Sequence, residues 1–98
     1  MSIWLPQRRR DVLAEGLPDG STVLYDPRAE TVYAINVTAA HVWEACDGCR
    51  PIPDLVAGVT RSFETSADSA DRDIRAFLDD LASRGLLEPE PAARGGLG

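Results

Sequence analysis

Two cysteines close together in the middle of the chain, Cys46-Asp-Gly-Cys49, are the residues best suited to chemistry. Thiols at this spacing can form a redox couple or half of a zinc site. Cys46 falls at the end of a predicted helix, where the helix dipole opposes a thiolate. The single histidine, His41, lies five residues earlier, and a helix turns it about 140° away from Cys46. The pattern favours a buried Cys46 and a loop Cys49, with metal binding or redox chemistry as alternatives.

The other polar residues of the sequence are not predicted to form a catalytic group. Asp79 and Asp80 are adjacent and point about 100° apart on a helix, so they do not converge as an acid and base pair. His41 is expected on the solvent side of its helix, beside Glu44, with no nucleophile facing it. The run of arginines at 8–10 could attract an anion from a mobile N-terminus. We therefore predict no enzyme activity, no catalytic or metal-binding residue and no cofactor.

Composition limits the classes of protein that this chain can be. Its 98 residues allow one small domain, and 44% of them are hydrophobic, which is enough for a core. All 10 basic residues are arginine, whereas 16 are acidic, giving a net charge of −6 that argues against nucleic acid as the partner. The sequence shows neither a signal peptide nor a transmembrane segment, so we expect no membrane association and a cytoplasmic protein with reduced thiols.

The first half of the chain has the pattern of an antiparallel sheet. Three segments rich in β-branched, aromatic or alternating residues are separated by turn sequences, which predicts a three-stranded meander. The predicted strands cover residues 11–17, 22–26 and 31–36.

The period then changes from two to about 3.6, which predicts three helices. Asn36 is the expected cap of the first, which Gly48 follows, and Pro53 opens the second. Thr65-Ser66 caps the third and longest helix, and Gly85 stops it. Strands followed by helices predict an α+β domain over residues 8–88, with a flexible N-terminus at 1–7 and a disordered tail at 89–98.

A small open sheet of this kind has edge strands with unpaired backbone groups. Such an edge can receive an extended peptide as an added strand, or a neighbouring loop or a second copy of the chain can protect it. The pattern of the residues leaves these alternatives open.

Two groups of residues resemble the PqqD family, the pyrroloquinoline quinone biosynthesis protein D-like domains that are also called RiPP precursor peptide recognition elements. The first group joins a strand end to a helix, and its members are Ile35-Asn36, Thr38-Ala39, Val42-Trp43 and Asp47-Gly48. The second group is the last helix and its stop, with Ile74, Phe77, Leu78, Leu81 and Gly85-Leu86-Leu87.

The resemblance covers roughly residues 8–88 and implies a winged helix-turn-helix-like domain. It also implies a peptide chaperone that binds the leader of a ribosomally synthesised precursor peptide and presents it to a modifying enzyme, often a radical SAM protein. In the family the leader adds as a strand to the third β-strand and lies against the last helix. Carried onto this chain, the peptide-binding residues are Thr31, Val32, Tyr33, Ala34, Ile35, Asn36, Asp71, Arg75, Leu78 and Ala82.

Within that set, Arg75 is expected to contact a leader carboxylate and Leu78 to form the floor of an apolar pocket. The opposite flank of the same helix is the alternative, and its members are Asp73, Ala76, Asp80 and Arg84. A winged-helix DNA-binding regulator is the alternative function, although the last helix carries five aspartates against three arginines. A monomer and a homodimer are equally compatible with the sequence.

Overall fold

A computed structural model describes residues 3–89 of the chain and confirms an antiparallel sheet followed by three helices. The predicted tail at 89–98 lies outside these residues except for Pro89. The strands are β1 (Leu13–Gly16), β2 (Thr22–Asp26) and β3 (Thr31–Ile35), and the helices are α1 (Val37–Ala45), α2 (Ile52–Ser62) and α3 (Ala67–Ser83). The sheet has the order β1-β2-β3, so β1 and β3 are its two edges.

Each of the two hairpin turns contains one residue with a positive φ. The first turn has Gly20 at φ 92°, and the amide of Leu17 donates to the carbonyl of Ser21 at 2.8 Å. The second turn joins β2 to β3 and places Glu30 at φ 55°, a left-handed conformation that costs energy in a residue with a Cβ. These turns set the register in which Leu24 lies opposite Tyr33.

The helix boundaries follow from caps that the sequence contains. The side chain of Asn36 accepts a hydrogen bond from the amide of Ala39 at 2.8 Å, and Ser66 accepts one from Ser69 at 3.1 Å. Gly85, at φ 74°, ends α3 in the left-handed conformation that favours glycine. α2 begins at Ile52, one residue before the predicted start.

One hydrophobic core lies between the inner face of the sheet and the three helices. Its largest fully buried side chains include Trp43 of α1, Leu55 of α2 and Leu24 of β2. α3 contributes four buried residues at helical spacing, which are Ala70, Ile74, Leu78 and Leu81. Leu86 is fully buried, so the chain after α3 packs back onto this core.

The N-terminal segment contacts the domain through Trp4, Pro6 and Gln7, where the sequence predicted a flexible end. Pro6 is fully buried, and its carbonyl accepts from the amide of Gly48 at 3.0 Å. The carbonyl of Gln7 accepts from the amide of Glu88 at 2.8 Å. These contacts hold the segment between the loop after α1 and the chain after α3, a long-range arrangement that local sequence patterns do not encode.

Two of the three consecutive arginines are used inside the fold and are not a mobile anion site. Arg8 donates from Nη1 to carbonyls at the end of α1, at 2.9 Å to Glu44 and 3.2 Å to Cys46. Arg9 is 7% exposed and donates to both carboxylate oxygens of Asp26, at 2.9 and 3.2 Å. It also donates to the carbonyl of Gly85 at 2.9 Å, so one guanidinium joins the end of β2 to the end of α3.

Candidate functional site

The outer edge of β3 carries backbone groups without a strand partner in the described part of the chain. Backbone N–H and C=O groups point to alternate sides along an antiparallel strand. The hydrogen bond from the amide of Leu17 to the carbonyl of Ser21 belongs to the β1–β2 pairing. The backbone N–H and C=O groups of Val23 and Tyr25 therefore point toward β1. The backbone groups of the alternate residues of β2 point toward β3.

The same alternation continues across the β2–β3 pairing. Leu24 bonds to Tyr33 in this register, and so the backbone groups of Tyr33 point inward. The backbone groups of Val32 and Ala34 therefore point away from the sheet. An extended peptide could pair with these two residues, each offering one donor and one acceptor.

A groove of about 230 Å³ lies between this edge and α3, and we call it the β3 groove. Fully buried Leu24 and Leu86 form its floor. Its strand wall consists of Val32, Tyr33, Ala34 and Ile35, and its helix wall consists of Phe77, Asp80, Leu81 and Arg84. The helix residues follow the i, i+3, i+4, i+7 spacing that places side chains on one face.

Arg84 and Tyr33 close one end of the β3 groove. The guanidinium carbon of Arg84 lies 4.4 Å from the centroid of the Tyr33 ring, and its Nε donates to Asp80 at 3.0 and 3.1 Å. The Thr31 hydroxyl and the guanidinium lower the pKa of the Tyr33 phenol. The phenol and the carboxylate of Asp80 raise the pKa of Arg84, which stays a cation at this end of the groove.

The structure does not bring all of the expected peptide-binding residues together. The residues from β3 line the groove, except Thr31, while Asn36 lies just beyond it, in a second cavity. The expected residues of α3 lie elsewhere. Asp71 and Arg75 pair with each other at 3.1 Å on the exposed surface, and Ala82 is also exposed. Leu78 belongs to the core and lines neither the β3 groove nor the second cavity, so it does not form the floor of either one.

The opposite flank of α3 is the one that faces β3. Asp80 and Arg84 line the β3 groove, and Asp73 lines the second cavity, whereas Ala76 is exposed and lines neither. The periodicity of α3 identified its buried stripe, but both flanks border that stripe equally. The helical period of α3 places Phe77 beside Ile74 and Leu81 on the same stripe, yet it is only half-buried and lines the groove.

The second cavity, which we call the helical pocket, lies among the three helices and has a volume of about 400 Å³. Val42, Val59 and Ile74 are at most 3% exposed and form its apolar floor. Phe63 and Phe77 line it as well, and Phe77 is shared with the β3 groove. No local pattern in the sequence indicates this cavity, because it forms only where three helices meet.

The residues considered for catalysis or metal binding are not assembled into a site. Cys46 is fully buried, and burial raises the pKa of its thiol to about 12, whereas Cys49 is exposed. His41 is half-buried, and its ring packs edge-on against Phe63 with centroids 5.6 Å apart, so its expected position on the solvent side is wrong. Residues 3–89 contain no group of three or more His, Cys, Asp or Glu side chains that could hold a metal ion.

Residues 21–87 match the family described as Coenzyme PQQ synthesis protein D (PqqD). The chain belongs to the PqqD family. The matched segment begins just before β2 and ends after α3, so it contains both walls of the β3 groove and all of the helical pocket. No curated protein matches the chain.

Two solved structures share the PqqD-family fold with this chain. Lasso peptide synthetase B1, solved as a complex with the leader peptide, matches with a TM-score of 0.74 and 25% identity over 87% of this chain and 99% of that one. TbiB1, solved in complex with the TbiA(beta) leader peptide, matches with a TM-score of 0.73 and 21% identity over 84% and 94% of the two chains. Within residues 3–89, each helix is too short or too polar to span a membrane.

Proposed function

We propose that this chain binds the leader of a ribosomally synthesised precursor peptide as an added strand on β3. The observation that carries the proposal is the outward-facing backbone of Val32 and Ala34 beside the apolar β3 groove. Main-chain hydrogen bonds to this edge would supply affinity, and side chains seated in the groove would supply selectivity. The two similar structures, each a complex with a leader peptide, support this assignment.

The chain would act by presentation rather than by catalysis. A bound leader tethers the rest of the precursor, which raises its effective concentration at the active site of a modifying enzyme. A radical SAM enzyme is the partner that we propose, or another peptide-modifying enzyme, in the cytoplasm. In this role the chain needs no cofactor and no nucleophile, consistent with a Cys46 that is buried away from solvent.

The DNA-binding alternative finds no support in the exposed face of α3. Duplex binding requires clustered cations, whereas this helix carries five aspartates and two arginines, with a third arginine, Arg84, at its C-cap. Two of those arginines, Arg75 and Arg84, are already paired with Asp71 and Asp80.

The test is a calorimetric titration of the domain with the synthetic leader half of the precursor encoded beside its gene. We expect saturable 1:1 binding, together with slowed hydrogen exchange at the amides of Val32 and Ala34. A duplex DNA of the upstream region serves as the comparison ligand. Absence of binding to the leader, or binding that leaves both amides in fast exchange, would contradict strand addition to β3.

A further inference from the structure

The helical pocket is not needed for strand pairing, yet it opens where β3 ends. Asn36 follows the last residue of β3 and lines the pocket, and Phe77 borders both cavities. A peptide paired with Val32 and Ala34 would therefore reach the mouth of the pocket as soon as it leaves the edge. Its volume of about 400 Å³ lies near the lower end of the roughly 300–1,000 Å³ typical of ligand sites.

The lining of the helical pocket favours a bulky apolar side chain. Val42, Val59 and Ile74 offer only hydrocarbon at its base, and each is at most 3% exposed. Phe63 and Phe77 are half-buried, so their rings have accessible surface inside the pocket that an incoming side chain would cover. Covering apolar surface of this kind adds to the affinity of a bound peptide and selects among its side chains.

The mouth of the pocket is acidic. Glu64 and Asp73 both line it, both are exposed, and neither makes an ion pair with another residue in the described range 3–89. The other end of the β3 groove carries the cation of Arg84. The groove and the pocket together therefore have a negative end beyond the last residue of β3 and a positive charge at the opposite end.

The direction of the bound strand decides which part of the peptide reaches the pocket. β3 runs from Thr31 to Ile35, toward the pocket. Antiparallel pairing is slightly more stable per residue than parallel pairing. An antiparallel peptide runs away from the pocket, so the residues at its amino-terminal side lie at the mouth.

We propose that the helical pocket binds a large apolar side chain from leader residues that precede the strand-forming segment, with a Lys or Arg beside it that faces Glu64 and Asp73. The inference rests on the proposed function, because it assigns a second anchoring site to the same peptide. Selection among leaders then depends on two leader residues, one apolar and one basic, that precede the strand-forming segment. The leader side chains seated in the β3 groove contribute to selection as well.

A filling mutation in the pocket tests this inference. Ala39 is half-buried and lines the pocket, whereas Ala76 of α3 is exposed and lines neither cavity. Ala39→Leu is expected to weaken binding of the encoded leader about tenfold or more, and Ala76→Leu is expected to leave it unchanged. Val32 and Ala34 should keep their slowed exchange in both variants.

A second arm varies the peptide, and its measurement of contacts in the wild-type complex does not depend on how a variant folds. Each large apolar residue of the synthetic leader is replaced by alanine in turn, and affinity is measured against the wild type and Ala39→Leu. We expect one residue, on the amino-terminal side of the strand segment, whose replacement costs tenfold in the wild type and little in Ala39→Leu. In the wild-type complex that side chain should show nuclear Overhauser contacts to the rings of Phe63 and Phe77.

The outcomes separate this inference from the proposed function. Slowed exchange at Val32 and Ala34 with no coupled leader residue and no contact to either ring would overturn the pocket and leave strand addition standing. A coupled residue on the carboxyl-terminal side would overturn the assignment to preceding residues. Loss of slowed exchange with the encoded leader would overturn the proposed function itself.

Discussion

The guanidinium carbon of Arg84 lies 4.4 Å above the centroid of the Tyr33 ring, which joins the residue that caps α3 to the middle of β3. Few other contacts hold these two elements together directly, because the β3 groove lies between them. Arg84 therefore has two roles. Its contact with Tyr33 connects the two walls of the groove at one end, and its guanidinium places a cation there.

The two flanks of α3 can be distinguished by a pair of matched variants. Arg84→Ala removes a cation that lines the β3 groove, whereas Arg75→Ala removes one that forms the same kind of i,i+4 pair on the exposed surface. We expect Arg84→Ala to weaken leader binding about threefold to tenfold and to reduce its salt dependence. Arg75→Ala should bind as the wild type does, and calorimetry at two salt concentrations measures both. A larger loss for Arg75→Ala would restore the flank that the sequence analysis favoured.

The two edges of the sheet offer a second matched pair. The alternation that turns the amide of Ala34 outward on β3 also turns the amide of Ala14 outward on β1. Proline removes an amide hydrogen and is tolerated on edge strands. We expect Ala34→Pro to weaken leader binding about tenfold, since it deletes a main-chain hydrogen bond. Ala14→Pro should leave the affinity unchanged, and circular dichroism verifies that both variants fold.

Should the two proline variants bind equally, or should Ala14→Pro be the weaker, the peptide does not add to β3. That result would direct attention to the edge of β1.

The Arg9–Asp26 pair predicts a dependence of stability on pH. Hydrogen bonds from Arg9 hold the pKa of Asp26 below its ordinary value. The folded state then binds the proton less readily than the unfolded state, so the stabilisation is complete above the unfolded pKa of about 4 and is lost as pH falls through the folded value.

Thermal melting of Asp26→Asn measures this contribution. We expect a melting temperature roughly 5 °C or more below that of the wild type at pH 7, since buried Arg9 loses one of its two carboxylate partners and keeps Asp11, and we expect a difference that shrinks below about pH 4. Asp79→Asn is the control, because its side chain is exposed and makes no ion pair within residues 3–89. A difference between wild type and Asp26→Asn that stays constant down to pH 2 would contradict the assigned role of the pair.

The two thiols should differ sharply in reactivity. Burial raises the pKa of Cys46 to about 12, while Cys49 is exposed. We expect iodoacetamide at pH 8 to label one cysteine of the folded protein and two after denaturation, with Cys46 slower by about a hundredfold or more. In Cys49→Ser the folded protein should take up no label. Equal labelling of both thiols in the folded state would reopen a redox role for the pair.

The N-terminal segment should contribute to stability. The side chain of Pro6 is fully buried, whereas that of Ile3 is 72% exposed. We expect Pro6→Ser to lower the free energy of unfolding by about 1–2 kcal/mol and Ile3→Ser to leave it nearly unchanged, as measured by urea denaturation. Identical unfolding midpoints for the two variants would mean that residues 3–7 are not part of the folded unit.

The elements of this domain were predictable because their signals are local. The caps Asn36 and Ser66 act within three residues, and Gly85 ends α3 through its own backbone conformation. The family resemblance rested on the same local features, since the order of strand, cap and helix can be read along the chain. The match over residues 21–87 confirmed that family.

The positions of the site residues were less predictable, because they depend on how helices are oriented around the sheet. A 3.6-residue period shows that Leu78 and Leu81 are buried, but it is symmetric about the stripe and does not tell which flank faces β3. The buried Arg9 was also missed, since its partners Asp26 and Gly85 lie 17 and 76 residues away in the chain. Nothing in the arginine run itself distinguishes a buried side chain from an exposed one.

The sequence by itself determined the strands, the helices and the resemblance to the family, and that resemblance implied β3 as the candidate peptide-binding edge. Tertiary structure alone decided that Asp80 and Arg84 face that edge, that Phe77 borders both cavities and that the helical pocket exists. The physical reason is that hydrogen bonding and caps act between neighbours in the chain. The azimuth of a helix, by contrast, is set by packing between residues far apart in sequence.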